Sequence, residues 1–314
     1  MRILLLSLFL LLTSCVFSKK QDALITVIDA SNGEILQGAS AMLFINPPRT
    51  KFWESRRTIQ QPLIETGTHT FEAEYQVGED CGASCSIQKK GYYTARFSLP
   101  ETISRTPHLM TIKLYPKINP ISLIQKNYHY RDDVILSYNG GEDSKRAFDC
   151  LKADWLPPYG TGERADLLFT LEQCKIKSKR YACFSVHFMN PNDGFMLIKD
   201  GYASSAMFIR EAPQDLHLTQ TLSFLKPLDS RGYIQDFPKT QYYVFRVRTS
   251  LTPSGEIESA YYGKLNNAFD WYYGGKEPDK LGLLFSYFLN PTPNDRNLEY
   301  NGRPANKLST DESF

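Results

Sequence analysis

The chain has 314 residues, 42% of them hydrophobic, enough apolar material for buried cores and, by length, for two domains. A formal net charge of +2 leaves no excess of either sign for gripping nucleic acid or a strongly anionic surface. With 19 Tyr, 19 Phe and 18 Pro, strands and turns are favoured over long helices.

The first stretch decides where the chain resides. Arg2 supplies one positive charge, and Ile3 to Leu12 is an apolar run interrupted only by Ser7. A spanning helix needs about 20 such residues, so this run is too short to cross a bilayer. A charged start, a short apolar run and small residues at its end read as a secretory signal peptide over residues 1–14. No later apolar run is long enough to span. Leu12-Thr13-Ser14-Cys15 resembles the bacterial lipobox. That resemblance implies a diacylglycerol on the Cys15 sulfur, cleavage just before it and acylation of the new amino terminus. The chain would then be held on a membrane by its lipid anchor, since more than one acyl chain makes anchoring stable. Val16 follows the cysteine where some lipoproteins carry Asp. By resemblance to Gram-negative lipoproteins, this favours the outer membrane, facing the periplasm or the cell surface. Residues 15–22 would be a short polar tether.

Export makes disulfides plausible for the five cysteines other than Cys15. Cys81 and Cys85 sit in Glu-Asp-Cys-Gly-Ala-Ser-Cys, a loop-like stretch that can close on itself. Cys174 and Cys183 flank Lys175 to Ala182. A hairpin turning at Ser178–Lys179 sets these two opposite each other and Leu171 opposite Val186. Cys150 is left over. The alternative is that some or all are free, buried cysteines.

Residues 23–116 read as a small antiparallel β-sandwich. Ala23 to Asp29 and Ala41 to Ile45 are apolar runs separated by the turn Ser31-Asn32-Gly33. Phe71, Ala73, Tyr75 and Val77 alternate with Glu72, Glu74 and Gln76. Tyr93 to Leu99 and Met110 to Leu114 repeat that period of two, the mark of a half-buried strand. Ile25 to Asp29, Asn32-Gly33, Leu36-Gln37-Gly38-Ala39, Lys89-Lys90-Gly91-Tyr92 and the last strand Met110 to Tyr115 together resemble the carboxypeptidase regulatory-like, or transthyretin-like, domain. The resemblance implies a non-catalytic module. Asn46 to Leu63 looks like a loop longer than that family needs. His69-x-x-Glu72 has the spacing of a zinc pair, but positions three apart on a strand point to opposite faces. Pro116, Asn119 and Pro120 mark a boundary.

Residues 121–314 read as a second antiparallel β domain. Strands are expected at Asp133 to Tyr138, Ala165 to Glu172, Cys183 to Phe188 and Tyr242 to Arg248, with a weaker one at Met207 to Arg210. Ser144 to Trp155 fits either a short helix or a strand. Leu281 to Leu289 is apolar on both faces, as in a central strand. Asp154-Trp155, Tyr262-Gly263-Lys264 and the run from Tyr287 through Glu299 resemble a group of uncharacterised bacterial envelope proteins, which implies no activity.

No motif implies a cofactor or a resident metal. Gly160-x-Gly162-x-x-Ala165 imitates a dinucleotide fingerprint, but it precedes a strand where that motif must follow one. Asp132-Asp133 and Glu142-Asp143 suit solvated turns better than a carboxylate pair. Two ligand-binding candidates remain. Trp271, Tyr272 and Tyr273, with Phe269, Tyr261 and Tyr262 nearby, are interleaved with Asn, Asp and Gly; sugars stack on such rings, although strand aromatics also fill cores. Asp295 and Arg296 lie in Asn294-Asp295-Arg296-Asn297, which either grips a ligand or satisfies its own loop. The leading expectation is a non-enzymatic envelope lipoprotein, a structural or adhesive module that binds a protein or a glycan. The alternative is a hydrolase of envelope glycan or peptide using acidic residues of the second domain.

Overall fold

The structure, a computed structural model, describes residues 19–46, 58–78, 81–126, 134–198, 209–214, 217–228, 242–273 and 280–306. Cys15 and the signal stretch lie outside the described residues, as do Asp132-Asp133, Met207 and most of the stretch between Asn46 and Thr58. The chain forms two compact units that divide between Lys117 and Ile118. Both are all-β, and among the described residues no helix is long and apolar enough to cross a membrane.

The described residues of the first unit form seven strands: β1 (Lys19–Asp29), β2 (Ser40–Asn46), β3 (Ile59–Leu63), β4 (Thr70–Val77), β5 (Gly82–Gln88), β6 (Ala95–Ser98) and β7 (His108–Leu114). They form two sheets, β4-β1-β7 and β3-β2-β5-β6. The expected alternation sets the core: Ala23, Ile25 and Val27 of β1 point inward with Phe71, Ala73 and Tyr75 of β4, against Leu43, Cys85 and Ile87 of the other sheet. Lys19 to Asp22, expected as tether, are the start of β1 and pair with β4 down to Lys19 opposite Val77. The turn signal after β1 is built around Asp29. Its carboxylate accepts the Ser31 amide at 2.7 Å and the Tyr92 hydroxyl at 2.7 Å. The Ser31 hydroxyl and amide, then Tyr92, hold this carboxyl below its usual range. Gly33 closes the turn at φ 78°.

The described residues of the second unit form twelve strands: β8 (Ile121–Lys126), β9 (Val134–Ser137), β10 (Lys145–Asp149), β11 (Asp154–Trp155), β12 (Leu167–Ile176), β13 (Lys179–Phe188), β14 (Gly194–Ile198), β15 (Thr221–Pro227), β16 (Tyr242–Leu251), β17 (Ile257–Tyr273), β18 (Lys280–Leu289) and β19 (Tyr300–Pro304). One sheet runs β11-β10-β12-β13-β15. The other runs β14-β16-β17-β18-β8-β19, with β9 also on β18. Between them lies a core of aromatic rings. Phe148, Phe169 and Phe184 come from the first sheet, and Phe245, Phe269, Phe285 and Tyr287 from the second. Phe169 stands 5.1 Å from Phe285 and 5.8 Å from Phe269, centroid to centroid. The β18 strand is central, with Leu283 to Leu289 buried on both faces. On its second face Phe288 packs with Leu123 and Tyr300, while the segments around Ile209–Ala212 and Leu298 cover Val244 of β16 and Ala260 and Tyr262 of β17.

Several expectations need correction. Ser144 to Trp155 is strand β10, a turn and strand β11, after a short 3-10 turn at Glu142–Ser144. Two pairings are parallel, β1 with β7 and β8 with β19, where antiparallel sheets were expected throughout. Side-chain alternation is the same in both kinds of pairing, so the sequence pattern does not separate them. The structure does not join Cys81 to Cys85. Cys85 faces the core from β5, between Leu43 and Phe97, and burial pushes its thiol up to about 11. Four residues of extended chain span about 13 Å, well beyond disulfide reach.

Cys174 and Cys183 are bonded, with their Cα atoms 6.0 Å apart. The hairpin turns at Lys177–Ser178, whose φ values are 46° and 67°, the positive pair that a two-residue turn requires. Cys174 therefore opposes Tyr181, Cys183 opposes Glu172, and the disulfide runs diagonally. The expected register was two residues off. A slip of two keeps every side chain on its face, so both cysteines still lie on the outer face. Peptide mapping without reductant is expected to find Cys174 joined to Cys183, with Cys85 alkylated only after unfolding. Replacing the pair by Ser is expected to lower stability by about 2–3 kcal/mol, the usual effect for so short a loop, in a urea titration.

Candidate functional site

The outer face of the β10-β12-β13-β15 sheet carries the concavity that suits a ligand. Lys145 opposes Thr170, Thr170 opposes Ser185, and Ser185 opposes Ser223. These four residues form one row across four strands. The row on one side holds Leu168, His187 and Thr221; the row on the other holds Glu172, Cys183 and Leu225. The Ser and Thr side chains of the middle row are shorter than Leu168 and His187 on one side and Glu172 and Leu225 on the other, and the surface dips between them into a trench. It encloses about 350 Å³, at the small end of the range of about 300–1,000 Å³ for ligand sites.

The floor is ordered by hydrogen bonds. The Thr170 and Ser185 hydroxyls are 2.6 Å apart, Ser185 Oγ is 2.8 Å from His187 Nε2, and His187 Nδ1 is 2.9 Å from the Thr221 hydroxyl. Positions two apart on a strand share a face, which is why Ser185 and His187 meet. The pair has the reach of a nucleophile and a base. Two parts of such a machine are missing around it. The partner of His187 Nδ1 is a hydroxyl, where an orienting carboxylate is needed. The backbone amides of β12 and β13 point into ladders with neighbours on both sides, so none faces the trench as an oxyanion donor.

A second constellation lies at one end of the aromatic core. Arg248, at φ 57° in a bulge of β16, donates to Asp149 Oδ1 at 2.6 Å and to Asp166 Oδ1 at 2.9 Å. The Arg248 and Thr249 amides donate to Asp193 at 2.7 and 2.9 Å. Burial pushes the Asp149 carboxyl up, but the Lys152, Arg164 and Glu163 amides and the Arg248 guanidinium outweigh it and hold the group below its usual value. Burial raises the Asp193 carboxyl. The Cys150 amide donates to Asp166 at 2.8 Å, and its carbonyl accepts the Tyr287 hydroxyl at 2.6 Å. Every carboxylate here is taken up by amides or by Arg248, which makes the cluster a clamp between sheets. Among the described residues no group of three or more His, Cys, Asp or Glu is placed to hold a metal ion.

The other candidates fall as follows. Trp271, Tyr272 and Tyr273 pair through their backbones with Leu283, Gly282 and Leu281; their side chains lie outside the described residues. Phe269 is core, and Tyr262 is buried under the Ile209–Ala212 segment. Asp295 accepts the Asn297 amide at 2.9 Å, Arg296 pairs with Glu211, and the buried Asn290 donates to the Asp295 and Asn297 carbonyls. That run satisfies its own loop. His69 sits in a turn at φ 57°, 3.2 Å from Glu65. Gly160 lies against β11, where a Cβ would meet the Trp155 carbonyl at 2.4 Å, so its glycine serves a close approach of two backbones. Neither the trench nor the clamp was named from the sequence.

Lys264 is fully buried on the second face of β17, donating to the Ile209 carbonyl at 2.8 Å. Burial depresses its amine to about 7, opposed by the charge of Glu299.

No protein-family model matches the chain, and no curated protein or solved structure matches it.

Arg248→Met is expected to cost about 3–5 kcal/mol in urea unfolding, because it strands two buried carboxylates. Adding Asp149→Asn and Asp166→Asn should recover part of that loss; a triple variant no more stable than the single would refute the clamp. Between pH 7 and 10.5 the unfolded chain keeps on Lys264 a proton that the folded chain lacks. Stability from this group therefore rises with pH across that window and is flat below it. The urea midpoint of the parent should climb from pH 7 to pH 10 relative to Lys264→Met, and parallel curves would count against the depressed amine.

Proposed function

We infer that the chain is a non-enzymatic lipoprotein of the bacterial envelope. Cys15 carries the lipid, the first unit is a transthyretin-like module near the membrane, and the second unit is a structural or adhesive module that binds an envelope protein or glycan. The observation that carries the binding reading is the trench of Lys145, Thr170, Ser185 and Ser223, an open polar concavity on a sheet face. The anchor rests on the lipobox resemblance, and the outer membrane on Val16 after the cysteine.

The same geometry supports binding over hydrolysis. Ser185 and His187 touch, but among the described residues no carboxylate orients the imidazole and no backbone amide of β12 or β13 faces the place an oxyanion would occupy. The buried acids Asp149, Asp166 and Asp193 are occupied by amides and by Arg248, which leaves them unsuited to the acid and base roles of a glycosidase.

Two measurements test this reading. Cys15→Ala should move the protein from the membrane fraction to the soluble fraction, and continued sedimentation with membranes would remove the anchor. A photoreactive residue at position 223 should capture an envelope component in cells, while the same residue at position 74, on β4 of the first unit, should not. Equal capture at both positions would remove the trench as the binding face.

A further inference from the structure

The geometry points to a neutral oligosaccharide as the occupant of the trench, lying across the strands along the row of hydroxyls. This rests on the reading of that face as the binding face. The floor consists of three hydroxyls, Thr170, Ser185 and Ser223, each able to donate and to accept. The Thr170 and Ser185 hydroxyls are bonded to each other at 2.6 Å, and Ser223 continues the row one strand further across the sheet. A sugar chain presents hydroxyls of the same dual character, repeated along its length. Its groups can replace water on such a floor without leaving a donor or acceptor unpaired.

Charge favours a neutral ligand. Lys145 stands at one end of the row and Glu172 in the neighbouring row, one of each sign, and both are exposed. A strongly acidic or basic chain would meet one repelling group for each attracting one. A protein partner fits less well. Stable protein interfaces bury about 800 Å² on each side around an apolar, aromatic-rich centre. The trench offers hydroxyls at its centre, and Leu225 is the exposed apolar side chain of its lining. Ser185 bonded to His187 gives the floor a fixed geometry, so little ordering remains to be done when a ligand arrives.

The experiment uses the chain from Cys15→Ala cells with two probes, the tetrasaccharides of β-1,4-linked N-acetylglucosamine and of β-1,4-linked glucose, titrated calorimetrically. The parent should bind at least one of them. Ser185→Val with Ser223→Val removes two hydroxyls and keeps strand-forming side chains, and it should weaken that binding by about tenfold or more. Ser223→Gln, at an exposed position, plugs the trench and should abolish binding with unchanged melting; it serves as the test if the double variant does not fold. Ser185→Thr keeps the hydroxyl and should bind like the parent. Unchanged affinity in the plugged variant, or no binding of either probe by the parent, overturns the assignment. Capture of one protein at position 223, without sugar binding, would also overturn it while leaving the binding face in place. Failure of the face itself would appear separately, as equal capture at positions 223 and 74.

Discussion

One guanidinium sets the geometry of the second unit. Arg248 projects from a β16 bulge in one sheet and binds Asp149 and Asp166 at the ends of β10 and β12 in the other. A non-glycine residue at positive φ costs about 1–3 kcal/mol, and it persists only where its surroundings hold it there. Here the Arg248 amide donates to Asp193 while its side chain donates to two further carboxylates. A buried ion cluster of this kind adds little net stability compared with an apolar replacement. Its effect is to make one arrangement of the chain ends far better than its neighbours. Asp149 follows Phe148, which opposes Leu167, and Asp166 immediately precedes that residue. The clamp therefore fixes the β10–β12 register at its end, and with it the alignment of Lys145 and Thr170, each four positions from its clamp residue.

The aromatic core depends on the same alignment. Phe148, Phe169 and Phe184 meet Phe269, Phe285 and Tyr287 edge to face or tilted, and each ring needs its partners at fixed heights along the strands. Gly263 shows how close the fit is. The Phe245 ring lies over it, and a Cβ there would stand 2.2 Å from that ring. Tyr287 ties the core to the clamp by donating its hydroxyl to the carbonyl of Cys150, between Asp149 and Leu151.

Much of the fold was legible because burial on one face leaves a period of two. Thr70 to Val77 and Leu281 to Leu289 were found nearly residue for residue, the first by alternation and the second by apolarity on both faces. Strands β3, β5, β8, β14, β15, β17 and β19 escaped, β3 having been read as part of a loop from Asn46 to Leu63. Gly82-Ala83-Ser84-Cys85-Ser86 is built of small residues that turns also favour, and only tertiary pairing with β2 makes it a strand. Gly194, of a residue type that turns favour, opens β14, where a Cβ would meet Leu218. The Cys174–Cys183 bond was expected from a hairpin turning at Ser178–Lys179 that set the two opposite each other; the register is two residues off, and the bond forms because a slip of two leaves both on the same face. The candidate site was not legible at all. Lys145, Thr170, Ser185 and Ser223 are scattered along the chain, each on a different strand, and single polar residues on a solvent face carry no local signal.

Register is what turns those scattered residues into a site, and the β12–β13 turn selects the register. With the turn at Lys177–Ser178, Thr170 meets Ser185, and Ser185 continues to Ser223. With a turn one position later, the pairing slips by two. Every apolar side chain still faces inward, so the choice of face does not separate the two arrangements. In the slipped arrangement Thr170 would face His187, the imidazole would stand in the middle row, and the hydroxyl floor would be broken. Two residues at positive φ carry the backbone twist that suits a two-residue hairpin, and they favour the first arrangement. The Cys174–Cys183 bond suits either arrangement, diagonal in the first and directly across in the second, so it closes the hairpin without choosing its register. The contacts of Phe184 with Phe169 and Phe269 do choose, because a slip of two would carry that ring about 7 Å along the strand. The polar face of this sheet is thus specified by its turn, by the rings beneath it and by the distant Arg248 clamp.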